Sequence, residues 1–342
     1  MQPTSTAQFD AFERGGAPEL EAVRDDVWAL GQPMPGERLP ASLLYIVRDA
    51  QRGLHVIDPG TGTDDNWVRF VDALTRIGAV PADVATVTAT HLHADHLGMA
   101  ERLRAETGAA VQLHGAEAAA ARRLADGRPT PADARSRAAG WGVPEARVPA
   151  LEAVAEAAPA VVAPEVDRLL ADGDRLEIAG FDLRVVHTPG HTPGHVCLYE
   201  PDRRLVLTGD HVLPITVSGL GLGGPSSTNP LADFLASIDR VESLDEQAAQ
   251  ELQALPGHGY RFTGLGPRAR ACAEHHLRRT REVAGLEAAS PSLSIWELAS
   301  RLTWTGGFAS LDGFTLWSAL QQAEMHRDYV AAGLDASGEA SG

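Results

Sequence analysis

Between residues 90 and 96 the chain reads Thr-His-Leu-His-Ala-Asp-His, directly after the apolar run Val84 to Ala89. Three imidazoles and a carboxylate within six residues form a donor set that borderline divalent cations such as zinc accept. If the segment is extended, His91 and His93 point the same way. Asp95 and His96 fall where the chain turns into the next helix, so they can face a second position nearby. The spacing therefore predicts a buried strand that ends on two metal half-sites, and the rest of the fold must bring further donors to that edge.

Three later elements supply them. His187-Thr-Pro-Gly-His191-Thr-Pro-Gly-His195 follows an apolar strand, Phe181 to His187. His191 stands between two Pro-Gly turns that force the backbone out of the strand, so it is the ligand candidate; His187 reads as a core histidine and His195 as a structural hydrogen-bonding partner. Asp210 follows Arg204 to Leu207 and a Thr-Gly pair, and its two oxygens can bridge two cations. Pro256-Gly-His258-Gly brings out one more imidazole after a strand near Glu251 to Leu255.

These elements, in this order, resemble the metallo-β-lactamase fold hydrolases, and in particular the glyoxalase II-like branch, over roughly Ser42 to Tyr260. The resemblance implies an α/β fold, a four-layer αββα sandwich, and a metal-dependent hydrolase. It implies that His91, His93 and His191 hold one metal and Asp95, His96 and His258 the other, with Asp210 bridging. Asp58, in Ile57-Asp-Pro-Gly60, resembles the family's first motif and would support the metal loop from behind, as would His195. The implied cofactors are two divalent ions, zinc first, with iron or manganese as alternatives. The full Asp-His-plus-bridging-Asp pattern departs from that of true β-lactamases, so antibiotic hydrolysis is not expected.

Around this centre the apolar pattern predicts a hairpin, Ser42 to Arg48 with Gly53 to Ile57, a helix over Asp64 to Ile77, and one helix from Asp95 to Glu106. Strands are expected over Arg175 to Ile178, His195 to Tyr199 and Arg204 to Leu207, and a helix over Leu231 to Leu244. Residues 19–263 read as the catalytic domain, with an Ala-rich helical insertion near 115–165 interrupted by Pro129, Pro131 and Pro144. Residues 264–334 read as a small helical module similar to the winged-helix-like tail of some of these hydrolases, through Pro267 to Leu286, Ser294 to Leu302 and Leu311 to Ala332. Polar residues 1–18 and 335–342 read as loose tails.

The excess of 46 acidic over 29 basic residues, net charge −17, disfavours nucleic acid as a partner, since phosphate binding draws on clustered Lys and Arg. The chain contains no Lys, which excludes a Lys nucleophile or Schiff base. Two cysteines, Cys197 and Cys272, are too few for a disulfide framework. With no secretory signal and no run of about 18 apolar residues, the expectation is a cytoplasmic enzyme without membrane attachment, able to form a homodimer. The expected reaction is attack by a metal-bridging hydroxide on a small acyl substrate, a thioester or lactone, with Asp95 as catalytic residue orienting the nucleophile and handling its proton. Phosphodiester or RNA cleavage on the same site is the alternative; iron-dependent redox chemistry comes after it. His211 and Tyr260, the loop Gly219 to Thr228 and the insertion around Pro129 to Val148 are the candidates to line the substrate pocket.

Overall fold

The computed structural model describes residues 1–34, 37–158, 163–248 and 250–333. Two sheets form its centre. Strands β2 (Glu21–Arg24), β3 (Val27–Pro33), β4 (Ala41–Arg48), β5 (Leu54–Ile57), β6 (Val84–Thr88), β7 (Ala110–His114) and β8 (Arg168–Leu170) lie in that order in one sheet. The other contains β1 (Gln2–Pro3), β13 (Phe262–Thr263), β12 (Gln253–Pro256), β11 (Leu205–Gly209), β10 (Val196–Glu200) and β9 (Arg184–His187).

Strand β4 shows why the sheets stack. Successive side chains of a strand point to opposite faces, so Leu43, Tyr45 and Val47 enter the core between the sheets while Leu44 and Ile46 enter a core on the outer face. Buried on both faces, the strand reads as an unbroken apolar run rather than an alternating one. Strand β11 mirrors it, with Leu205 and Leu207 toward the first sheet and Val206 outward. Helices close both outer faces. Phe70, Ala73 and Leu74 of α2 (Asp64–Arg76), with residues of α4 (Ala100–Thr107) and α5 (Gly115–Asp126), pack on the first sheet. Phe234, Ile238 and Val241 of α8 (Pro230–Gln247) and Leu265, Ala269 and Cys272 of α9 (Leu265–Ala289) pack on the second. The result is the four-layer αββα sandwich.

The expected helix over Asp95 to Glu106 is in fact two, α3 (Ala94–Leu97) and α4. The break falls at Gly98, where the 60–62 loop crosses: Met99 N–H donates to Gly60 C=O at 2.9 Å, and a Cβ on Gly62 would stand 2.6 Å from the Gly98 carbonyl oxygen. Arg175 to Ile178 forms only an isolated bridge to Arg184 rather than a strand. Residues 1–18 are not a loose tail. Gln2 and Pro3 pair with Thr263 and Phe262, and α1 (Thr6–Glu13) is capped by Ser5, whose hydroxyl accepts the Gln8 N–H at 3.0 Å. Phe9 and Phe12 pack edge-on against Tyr260. These ties are backbone pairs and isolated aromatics, which leave no apolar run to read.

The insertion supplies α5, α6 (Pro131–Gly140) and α7 (Val148–Ala157). Trp141, Val148 and Leu151 share one core with Leu298 of α10 (Ile295–Arg301) and with Leu316 and Leu320 of α11 (Gly313–Ala331). Insertion and C-terminal segment thus bury their apolar faces on each other. Among the described residues 265–333 there is no strand, so the segment is a helical module without a wing. The expected tail over 335–342 lies outside the described residues. No described helix is long and apolar enough to cross a membrane, and both cysteines are buried thiols.

Candidate metal centre

Strand direction puts every candidate donor at one edge. β5 and β6 run parallel, as do β11 and β12, so Asp58, the 91–96 segment, Asp210 and His258 all leave the carboxyl ends of parallel strands. The sheets are joined there by the bridge between Ser42 and His258 and by the Leu43 N–H, which donates to Gly257 C=O at 2.7 Å. His191 reaches the same edge on the turn between β9 and β10.

Seven side chains meet there. His91 Nε2 lies 3.0 Å from His93 Nδ1, and His191 Nε2 lies 3.1 Å from that same atom. His96 Nε2 lies 3.3 Å from His258 Nε2 and 3.5 Å from the Asp95 carboxylate. Asp210 stands between the two groups, with Oδ1 3.4 Å from His96 Nε2 and Oδ2 3.4 Å from His258 Nε2 and 3.8 Å from His191 Nε2. Three overlapping sets can each hold a cation: His91, His93 and His191; His91, His96 and Asp210; Asp95, His96 and His258.

The hydrogen bonds behind the rings fix which nitrogen faces inward. His191 Nδ1–H donates to Gly219 C=O at 2.7 Å, His258 Nδ1–H to Ala41 C=O at 2.9 Å and His93 Nε2–H to Leu222 C=O at 3.2 Å. His96 Nδ1–H donates to Asp58 Oδ2 at 3.0 Å, and His91 Nδ1–H to the Thr90 hydroxyl at 3.0 Å. In all five rings the remaining nitrogen faces the same space. Lone pairs about 3 Å apart repel unless a cation lies between them, and bonds of about 2.0–2.1 Å in a tetrahedral shell hold neighbouring donors at roughly this separation. Asp210 Oδ1 is likewise buried without a hydrogen-bond partner. The donor set fits divalent metal.

Electrostatics divide the site in two. Burial, with the neighbouring imidazoles, pushes His91 and His93 below their ordinary range and His191 down to about 4, so these three are neutral donors at pH 7. Burial also opposes charge on His96 and His258, but the carboxylates outweigh it: Asp95, Asp210 and Asp58 hold His96 well up, and Asp210 and Asp95 raise His258 to about 10. Against the burial penalty on the carboxylates, the same rings hold Asp95 and Asp210 well below the usual range.

Asp58 is placed to support the centre. It adopts φ 51°, a left-handed conformation rare for a non-glycine. Its Oδ1 accepts Thr90 N–H at 2.7 Å, and Oδ2 accepts the Thr90 hydroxyl at 2.8 Å as well as His96. His195, 0% exposed, accepts the Asp210 backbone N–H at 3.1 Å. His187 stacks on His114 at 4.2 Å, outside the cluster. His211 is not at a pocket surface: it is fully buried, and its ring lies 4.9 Å from Phe234. The tight turn after β11, in which His211 N–H donates to Thr208 C=O, aims it at α8. Tyr260 is likewise mostly covered, by α1. The 219–228 loop does reach the site, through the Gly219 and Leu222 carbonyls. Sequence reasoning missed Glu117 of α5, fully buried, whose oxygens accept Leu92 N–H at 2.8 Å and Gly194 N–H at 2.5 Å. It stands third in an Ala-rich helix, where a carboxylate is ordinary.

Comparison with known proteins agrees with this architecture. The family model of the metallo-beta-lactamase superfamily matches residues 39–256. The chain is 29% identical over 227 residues to acyl-coenzyme A thioesterase MBLAC2 of Gallus gallus, covering 63% of this chain and 71% of that one. It is 24% identical over 233 residues to hydroxyacylglutathione hydrolase GloC of Haemophilus influenzae, covering 66% and 89%. Among solved structures, a metallo-beta-lactamase family protein from Thermus thermophilus superimposes with a TM-score of 0.71 at 28% identity, covering 91% of this chain and 95% of that one. A beta-lactamase domain protein from Burkholderia ambifaria gives 0.72 at 25%, covering 92% and 88%. With the matched region running from β4 to β12 and containing every candidate donor except His258, the chain belongs to the metallo-beta-lactamase superfamily of hydrolases.

Proposed function

We propose that this protein is a binuclear metal-dependent thioesterase acting on a small acyl substrate. The observation that carries the reading is the convergence of five imidazole nitrogens and two carboxylates on one space, with Asp210 reaching both halves. His91, His93 and His191 would hold one ion, Asp95, His96 and His258 the other, and Asp210 would touch both; nitrogen and oxygen donors suit zinc, with iron or manganese compatible. When bound, such ions lower the pKa of water toward neutrality and polarise the scissile carbonyl.

The protein's own groups do the rest. Asp95 is the more exposed of the two carboxylates, 21% against 11%, and ionised at neutral pH, so it is placed to accept a hydrogen bond from the attacking water and take up its proton. Water adds its oxygen to the acyl carbon, the carbon–sulfur bond breaks, the leaving thiolate takes the proton held by Asp95, and the acid product releases water's second proton to solvent, giving a carboxylate and a thiol. Asp58 and His195 keep the donors aimed. The thioester class is supported by two relatives whose names describe removal of an acyl group from coenzyme A and from glutathione.

The test is hydrolysis of an acyl-coenzyme A, an acylglutathione, a lactone and bis-nitrophenyl phosphate by metal-loaded protein. Thioester turnover that Asp95→Asn abolishes supports the reading. Preference for the phosphodiester would replace it.

A further inference from the structure

We propose that Glu117 is a positioning residue that builds the His91, His93 and His191 half of the centre by tying together the two loops that carry it. This rests on the two-metal reading above. The carboxylate leaves the first turn of α5 and is fully buried. One oxygen accepts the N–H of Leu92, the residue between His91 and His93; the other accepts the N–H of Gly194, three residues after His191 and directly before His195. All three donors of one half-site are therefore held in register by a single side chain from the insertion.

The approach is built in. Gly194 lacks the Cβ that would stand 2.5 Å from Glu117 N and 2.9 Å from its Cγ, so the loop closes onto the helix without a clash. Burial pushes the Glu117 carboxyl up to about 7, and the two loop N–H groups oppose that rise by bonding the ionised form. Hydrogen bonds to an ionised acceptor are roughly twice as strong as neutral ones, and both N–H groups would otherwise be left buried and unpaired, each a substantial cost. Here each N–H goes to a different oxygen of the carboxylate. A glutamine in its place accepts one and presents its NH2 to the other. The second half-site has other supports: His96 rests on Asp58, and His258 on the Ala41 carbonyl. Loss of Glu117 should therefore act on one ion and spare the other.

The experiment is zinc binding to metal-free protein by competition with a chromophoric chelator, for wild type, Glu117→Gln and Glu117→Asp, each alone and combined with His258→Ala. Thermal unfolding of the metal-free proteins runs beside it. The expected result is that one zinc weakens by roughly 10–100-fold, as for other supporting groups behind metal ligands, while the other is unchanged. Adding His258→Ala then weakens the remaining ion. Glu117→Asp, which keeps the charge but is too short to reach both loops, should show the same selective loss if the glutamine variant does not fold. Unchanged zinc affinities with a lowered unfolding temperature, or equal weakening of both ions, would make Glu117 a plain core residue and overturn the inference. A wild type that binds fewer than two zinc ions would overturn the two-metal reading and take this inference with it.

Discussion

His195 Nε2 accepts the backbone N–H of Asp210 at 3.1 Å, while its Nδ1–H donates to the Thr188 hydroxyl at 2.9 Å. Burial holds His195 well below its ordinary pKa, so the ring is neutral and can accept. It fixes the strand end from which Asp210 projects. His195→Ala leaves a buried N–H without a partner and should cost about 1–3 kcal/mol of stability. Urea unfolding of the metal-free protein checks this, and zinc affinity should fall with it because Asp210 loses its register.

Asp58→Ala removes the acceptor that fixes His96 Nδ1–H and both Thr90 donors. The expected loss is roughly 10–100-fold in metal affinity, measured by chelator competition, with thioester turnover falling in parallel. Retained affinity would show that the strained Asp58 turn supports the loop without tuning the ligand.

Much of this centre could be read in the chain because ligand chemistry is local. His91, His93, Asp95 and His96 lie within six residues, and His191 and His258 are flagged by the turn residues beside them. Asp58 and His195 were legible through the motif around each. Glu117 was not, since its role depends on α5 packing across two loops far from it in sequence. His211 was misplaced because neighbourhood in the chain says nothing about which side of a turn a ring takes. The two sheets followed from apolar runs such as Ser42 to Arg48, whereas β1 and α1 depend on backbone pairing and on Tyr260, which composition does not reveal.

The insertion and the C-terminal module should unfold together. Trp141 is 2% exposed, packs on Trp317 at 5.1 Å and donates its indole N–H to Glu324 at 2.9 Å. Trp141→Ala removes the one buried tryptophan among the described residues of that core and should cost about 3–5 kcal/mol. Limited proteolysis should then show joint exposure of α6, α7 and α11. Cleavage confined to the insertion would contradict the shared core.

Acid should weaken the junction between α9 and α11. Burial, with His275 and Arg279 adding repulsion, pushes both His276 and His326 down to about 3. The unfolded chain protonates these rings near 6.5 while the folded protein resists, so it binds more protons in that window and stability rises with pH from about 3 to 6.5. Full stability is present above pH 6.5 and is lost as the pH falls below it. His326→Gln, neutral throughout, should flatten that acid limb in denaturant titrations of metal-loaded protein above pH 5. An unchanged slope would assign the loss to other groups.

The measurement that bears most directly on the account is metal content by elemental analysis of protein purified without chelator, with Asp210→Ala beside it. The two-metal centre predicts about two divalent ions per chain in the wild type and a marked loss in the variant, because Asp210 reaches both halves. A single ion, or none, in the wild type would contradict it.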